Sequence, residues 1–199
     1  MIFRKNICKT SLLFLIIFIF VSATTGTAIA DAATGELFGY QISDSYPMTK
    51  KTRKKSDQGG TVLVIRAENP KKPEDVGKVY VVTSTMTHTI GKIYSTRKFR
   101  NQAVADKFSD RYAAFLSAKY RKHSPQSKGL EESSKLLVNF ENEYELRIKH
   151  FPAKEGKVIV QIGLSIHGEG KKKHAELIKK EHDQLLIKNA ETKGRDKGL

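Results

Sequence analysis

The chain has no tryptophan, one cysteine and five prolines in 199 residues. A single cysteine cannot build the disulfide framework of a small secreted scaffold or a thiolate zinc site. So few prolines, with 14 glycines, exclude a collagen-like or low-complexity chain. Long apolar runs are equally scarce. Only residues 12–21 (LLFLIIFIFV) could enter a bilayer, which excludes a polytopic membrane protein. Acids are the last shortage, with Asp+Glu 21 against Lys+Arg 36 and a formal charge of +15. With 39% hydrophobic residues the chain can still bury a core. At roughly 100–200 residues per domain, one domain is expected.

Residues 1–30 read as a secretory signal. Arg4, Lys5 and Lys9 precede the apolar run, small and polar residues follow it, and Ala28-Ile29-Ala30 fits the small subsites of signal peptidase. An uncleaved anchor is the alternative, because residues 10–30 carry no charge, although Thr25, Gly26 and Thr27 weaken that helix. Cleavage after Ala30 removes three cations, no acid and Cys8, leaving 169 residues at +12. A thiol-free domain without an Asn-x-Ser/Thr sequon suits a bacterial periplasm or exterior. The expected organisation is a signal at 1–30, one domain at 31–190 and a flexible tail at 191–199.

The remainder reads as two strand-rich blocks, each closed by a helix. Residues 37–42 suggest a first strand, 43–60 a mobile basic loop, and 61–67 (TVLVIRA) a β-branched strand. Residues 79–85 and 89–99 suit two paired strands, with Gly91 at a bulge. From Asn101, a capping residue, Val104, Phe108, Tyr112, Phe115, Leu116 and Tyr120 recur at helical spacing. Residues 121–133 read as a loop. Strands are expected at 135–140, 144–151 and 158–166, the last with the cleanest two-residue alternation in the chain. Gly168-Glu169-Gly170 breaks it, and a second helix is expected over 171–190 on a stripe of Ala175, Ile178, His182, Leu185 and Leu186. The fold class is therefore α+β: a mainly antiparallel sheet with two amphipathic helices packed on one face, in a degenerate strand-strand-helix duplication.

The Leu37-Phe38-Gly39-Tyr40 opening, then Tyr80-Val81-Val82 and Ile90-Gly91-Lys92-Ile93-Tyr94 leading into an aromatic helix, resembles small exported bacterial α+β proteins of unknown function. The resemblance spans residues 36–120 and carries over no catalytic residue.

Catalytic templates fail. Ser95-Thr96-Arg97-Lys98 spells S-x-x-K but sits in strand-like sequence, without the S-D-N or K-T-G partners of that chemistry. The six histidines are dispersed and none forms H-E-x-x-H, so no metal or other cofactor is implied. The feature with direction is charge. Candidate anion or partner contacts are Lys54 and Lys55; Arg97, Lys98 and Arg100; and Lys171, Lys172 and Lys173. The last three stand where a helix begins and acids are preferred, a mismatch that an anion would offset. The alternative, favoured here, starts the helix near His174 and leaves these lysines in a loop. Export argues against a genomic nucleic-acid partner, as do aromatics that fall on the helix stripe and not among the cations. An anionic envelope polymer, a lipid head group or an acidic protein fits better. The expectation is an exported, non-enzymatic basic binding protein. Alternatives are a secreted hydrolase assembled only in three dimensions, or a signal-anchored structural protein. Oligomeric state leaves no mark in the sequence.

Overall fold

The computed structural model describes residues 32–50, 52–57, 59–121, 133–140 and 143–195. The expected signal and the loop expected at 121–133 therefore lie, apart from Arg121 and Ser133, outside the described residues.

The chain opens with a 3-10 turn (Ala32–Thr34) and a hairpin of β1 (Glu36–Leu37) and β2 (Tyr40–Gln41). One strand was expected here. Phe38 (φ 54°) and Gly39 (φ 81°) instead reverse the chain through two consecutive left-handed residues, the pattern of a tight hairpin turn. Next come β3 (Lys54–Ser56), β4 (Val62–Arg66), β5 (Lys78–Ser84), β6 (Ile90–Phe99), α1 (Gln102–Lys119), β7 (Ser134–Phe140), β8 (Tyr144–Pro152), β9 (Val158–Ile166) and α2 (Gly168–Arg195). β3 falls inside the stretch expected to be loop: its Lys-Lys-Ser sequence has no apolar signal, and it exists because the β4 edge pairs with it.

β3 to β9 form one antiparallel sheet in the order β3-β4-β5-β6-β9-β8-β7. Each block is a meander, and the last strands of the two, β6 and β9, pair at the centre from Lys92↔Ser165 to Phe99↔Val158. Gly91 is the extra residue of a bulge, since Val82 faces Lys92 while Thr83 faces Ile90.

The α+β class is as expected. On the inner face, Val79, Val81, Ile93, Leu146, Ile148, Val160, Ile162 and Leu164 are buried beneath α1 and the N-terminal hairpin. Asn101 caps α1 by accepting the Val104 amide at 3.0 Å. Phe108 packs on Phe99 and Tyr112, and Ala32 N donates to Tyr120 Oη at 2.9 Å. Phe115 departs from the expected stripe and is exposed, because the register that buries Phe108, Tyr112 and Leu116 turns it outward.

The helices do not share a face. α2 meets Val82, Gly91, Lys92 and Ser165, of which Val82, Lys92 and Ser165 alternate with the buried inner residues and so point to the outer face. Its start also departs from expectation. His167 N donates to Glu143 O and Lys171 N to His167 O, so the helix begins at Gly168, whose φ of 56° turns the chain into it. It then runs through the expected tail as far as Arg195.

Candidate functional site

Register assigns the outer face. Tyr80, Lys78 and Val82 of β5 stand with Lys92, Tyr94, Thr96 and Lys98 of β6, and with Gln161, Gly163 and Ser165 of β9. Glu145, Arg147, Lys149 and Phe151 of β8 continue the rows, and Arg66 of β4 faces Tyr80. α2 crosses only one end. Beyond it Lys78, Lys98, Arg66 and Phe151 are exposed, while Tyr80, Tyr94, Arg147 and Lys149 are half-buried.

This face is basic and aromatic together. Tyr80 and Tyr94 are direct cross-strand partners whose rings stack at 5.4 Å and 22°. Gly163 beside Tyr94 leaves the platform unobstructed, for a Cβ there would come 3.1 Å from Tyr94 Cβ. Lys92 Nζ sits 5.3 Å from the Tyr94 ring centroid. Burial, with Lys149 and Arg147 nearby and Glu145 opposing them, holds the Lys92 ammonium below its ordinary lysine range. Glu145 is itself engaged, 2.9 Å from Arg147 Nε and 3.6 Å from His167 Nδ1.

Two clefts flank the first turns of α2. The larger, about 530 Å³, opens toward Ser43 and Tyr144 and is lined by Glu143, Glu169 and Lys173. The smaller, about 260 Å³, lies between α2 and the outer face. A third depression of about 360 Å³ holds Arg53 and Arg66 at the β3–β4 edge.

The residues singled out from the sequence do not converge. Lys54 and Lys55 are exposed on edge strand β3. Arg97 is structural: its guanidinium lies 5.2 Å and 5.5 Å from the Phe99 and Phe108 rings and donates to the Asp75 carbonyl. Lys98 remains on the outer face, about 20 Å along β6 from Lys92 at roughly 3.3 Å per residue, and Arg100 is exposed beyond the strand. Lys171, Lys172 and Lys173 are helical, contrary to the favoured reading. They occupy the second turn, with Glu169 in the first and 3.3 Å from Lys172, so the clash with the helix dipole is slight. Lys171 lines the smaller cleft and Lys173 the larger.

The Ser95/Lys98 tetrad is split by the strand, with Ser95 buried on the inner face and Lys98 exposed on the outer. A different serine does meet a histidine. Ser109 Oγ is 2.6 Å from His150 Nε2, and Asp106 Oδ1 is 3.8 Å from His150 Nδ1. Two observations remove this trio from catalysis. Ser109 has no exposure, so its hydroxyl meets no substrate. Gln102 Nε2 lies 2.9 Å from His150 Nδ1 and 3.0 Å from Asp106 Oδ1, an obligate acceptor, which orients the amide as a donor. Nδ1 then accepts and Nε2 carries the proton toward Ser109, the reverse of a general base. Burial and Lys135 keep His150 below its ordinary range, favouring this neutral form.

Sequence reasoning missed the Tyr80–Tyr94 platform. The signal was the two-residue alternation of residues 78–84 and 92–98, which placed both tyrosines with lysines on one face. The helix aromatics, expected on the apolar stripe, are core apart from Phe115. No protein-family model, curated protein or solved structure matches the chain.

Proposed function

We propose that this is an exported, non-enzymatic binding protein whose outer sheet face docks a flexible anionic polymer of the cell envelope. The observation that carries the reading is the shared placement of Arg66, Lys78, Lys92, Lys98, Arg147 and Lys149 around the Tyr80–Tyr94 pair, with Glu145 the acid among them. The residues expected to act as a signal agree with such a compartment. A sheet face with cations in rows suits a chain of repeating phosphates or carboxylates, which lies along the strands and gains from each contact.

Single-stranded nucleic acid is the second reading, and the stacked tyrosines favour it, because bases stack on such a platform and simple polyphosphate does not. One titration separates the two. Polyphosphate, polyglutamate and a deoxythymidine oligomer are titrated across a salt series into the protein as the cell processes it. The first reading expects polyphosphate or polyglutamate affinity to fall steeply with salt. Lys78→Glu with Lys149→Glu should weaken it about tenfold or more, some 1.4 kcal/mol or above, while the exposed helix lysines Lys179→Glu and Lys180→Glu leave it unchanged. If only the oligonucleotide binds and Tyr94→Ala abolishes it, the second reading replaces the first. Salt-insensitive binding, or none, defeats both.

A further inference from the structure

We propose that the smaller cleft beneath α2 binds a small organic anion with an apolar body, a phosphate monoester or carboxylate carried on an alkyl or aromatic group. This goes beyond docking of a polymer, since it concerns a cleft of about 260 Å³ between α2 and the sheet and not the uncovered part of the face.

The lining has two parts. Val62 and Val82 from the sheet and Ile166 and Ile178 around α2 supply an apolar wall, while Lys92 from β6 and Lys171 from α2 supply fixed positive charge. An inorganic ion would leave the wall without a partner, and a hydrocarbon alone would leave the cations without one. A molecule carrying both chemistries satisfies both. The acid in the lining, Glu145, is drawn aside by Arg147 and His167 and does not neutralise Lys92 alone.

The backbone is built to admit the site. Gly91 occupies the bulge, and a Cβ there would fall 2.1 Å from His174 Nε2. The absent side chain is what lets the His174 ring enter between helix and strand. The same bulge sets the register in which Lys92, not Gly91, faces Val82. Lys92 is also crowded by Lys149 and Arg147, and a bound anion relieves that repulsion.

Protons add to the cations. His174 faces Gly91 and Lys92 of β6, with Glu145 of β8 across the cleft and Lys171, Ile178 and Glu181 on its own helix; His167 faces Glu145. Burial keeps His174 below its ordinary range, with Glu181 opposing. A ligand anion favours the protonated ring, so binding tightens as pH falls from 8 to 6.

The test is calorimetric titration of the protein, as the cell processes it, with octyl phosphate, octanoate, octanol and inorganic phosphate at pH 6 and pH 8. Octyl phosphate or octanoate should bind, with octanol and inorganic phosphate at least tenfold weaker, and affinity should be higher at pH 6. Lys92→Met should reduce it about tenfold. Exposed Lys171→Gln, which disturbs no core, should reduce it several-fold, so a misfolded Lys92 variant leaves the idea testable. Lys78→Glu with Lys98→Glu, on the polymer face and away from Lys92, should spare the affinity, which separates this site from the polymer surface. Octanol binding as tightly as octyl phosphate, inorganic phosphate binding equally well, neither amphiphile binding, or indifference to Lys171→Gln would each overturn the proposal.

Discussion

Glu181 Oε2 lies 2.8 Å from the Met86 amide nitrogen. The same carboxylate accepts the Thr87 hydroxyl at 2.5 Å, so a buried acid on α2 clamps the turn between β5 and β6. Burial raises its pKa, but the summed hydrogen bonds from Thr87, Met86 and Ser84 outweigh that and hold it below its ordinary value. This is the polar anchor of a helix whose remaining sheet contacts are few. Glu181→Gln should therefore destabilise the protein by about 1.5–3 kcal/mol, the range for hydrogen bonds to a charged group. Urea unfolding measures it, and hydrogen exchange should show the amides of Met86 and Thr87 losing protection ahead of the sheet.

Gly91→Ala offers a second check on the same junction. A methyl group there meets the His174 ring far inside contact distance, so the helix or the ring must move. The expected loss is about 1–3 kcal/mol from overpacking. The double variant Gly91→Ala with His174→Ala should recover most of it, read as a positive coupling in a double-mutant cycle. Additive losses would mean the ring does not fill that space.

Stability should fall on mild acidification. His150 and His174 both have folded pKa values below the ordinary 6.5, so the unfolded chain takes up protons first. Their contribution is complete above about pH 6.5 and is lost as pH drops through the folded values. Glu181 adds a separate loss at lower pH, through its own depressed value beneath 4.5. Urea midpoints between pH 8 and pH 5 follow the histidine part, and His150→Gln should flatten it. A midpoint constant over that range would contradict the buried neutral assignment.

Arg97 and Lys98 are neighbours that should behave as opposites. Arg97→Ala removes a guanidinium packed on two rings and bonded to the Asp75 carbonyl, costing about 1–3 kcal/mol. Its effect on anion affinity should be small. Lys98→Ala should change thermal stability by less than about 0.5 kcal/mol while weakening polymer binding at low salt.

The strands were legible wherever side-chain alternation was unbroken, as in β9, where Val158, Val160, Ile162 and Leu164 all reach the core. α1 was legible because Asn101 marks its start and bulky residues recur along it. β3 was not, because its pairing comes from a neighbour and not from its own residues. The start of α2 was hidden by glycine: Gly168 and Gly170 look like a break, yet one supplies the left-handed turn and the other's missing Cβ would otherwise meet Ile166 Cγ2 at 2.8 Å. For the site, cation clusters in sequence were a poor guide. Strand cations gather across β-ladders from residues far apart, as Lys92 and Lys149 do, and no linear count brings them together.

The central β6–β9 pairing has a consequence for biogenesis. Strand β6 keeps a naked hydrogen-bonding edge until residues 158–166 exist to meet it, so the seven-stranded sheet cannot be completed early. The two halves of the sheet are thus joined only by the last strand to be made, and closure is a late event of synthesis.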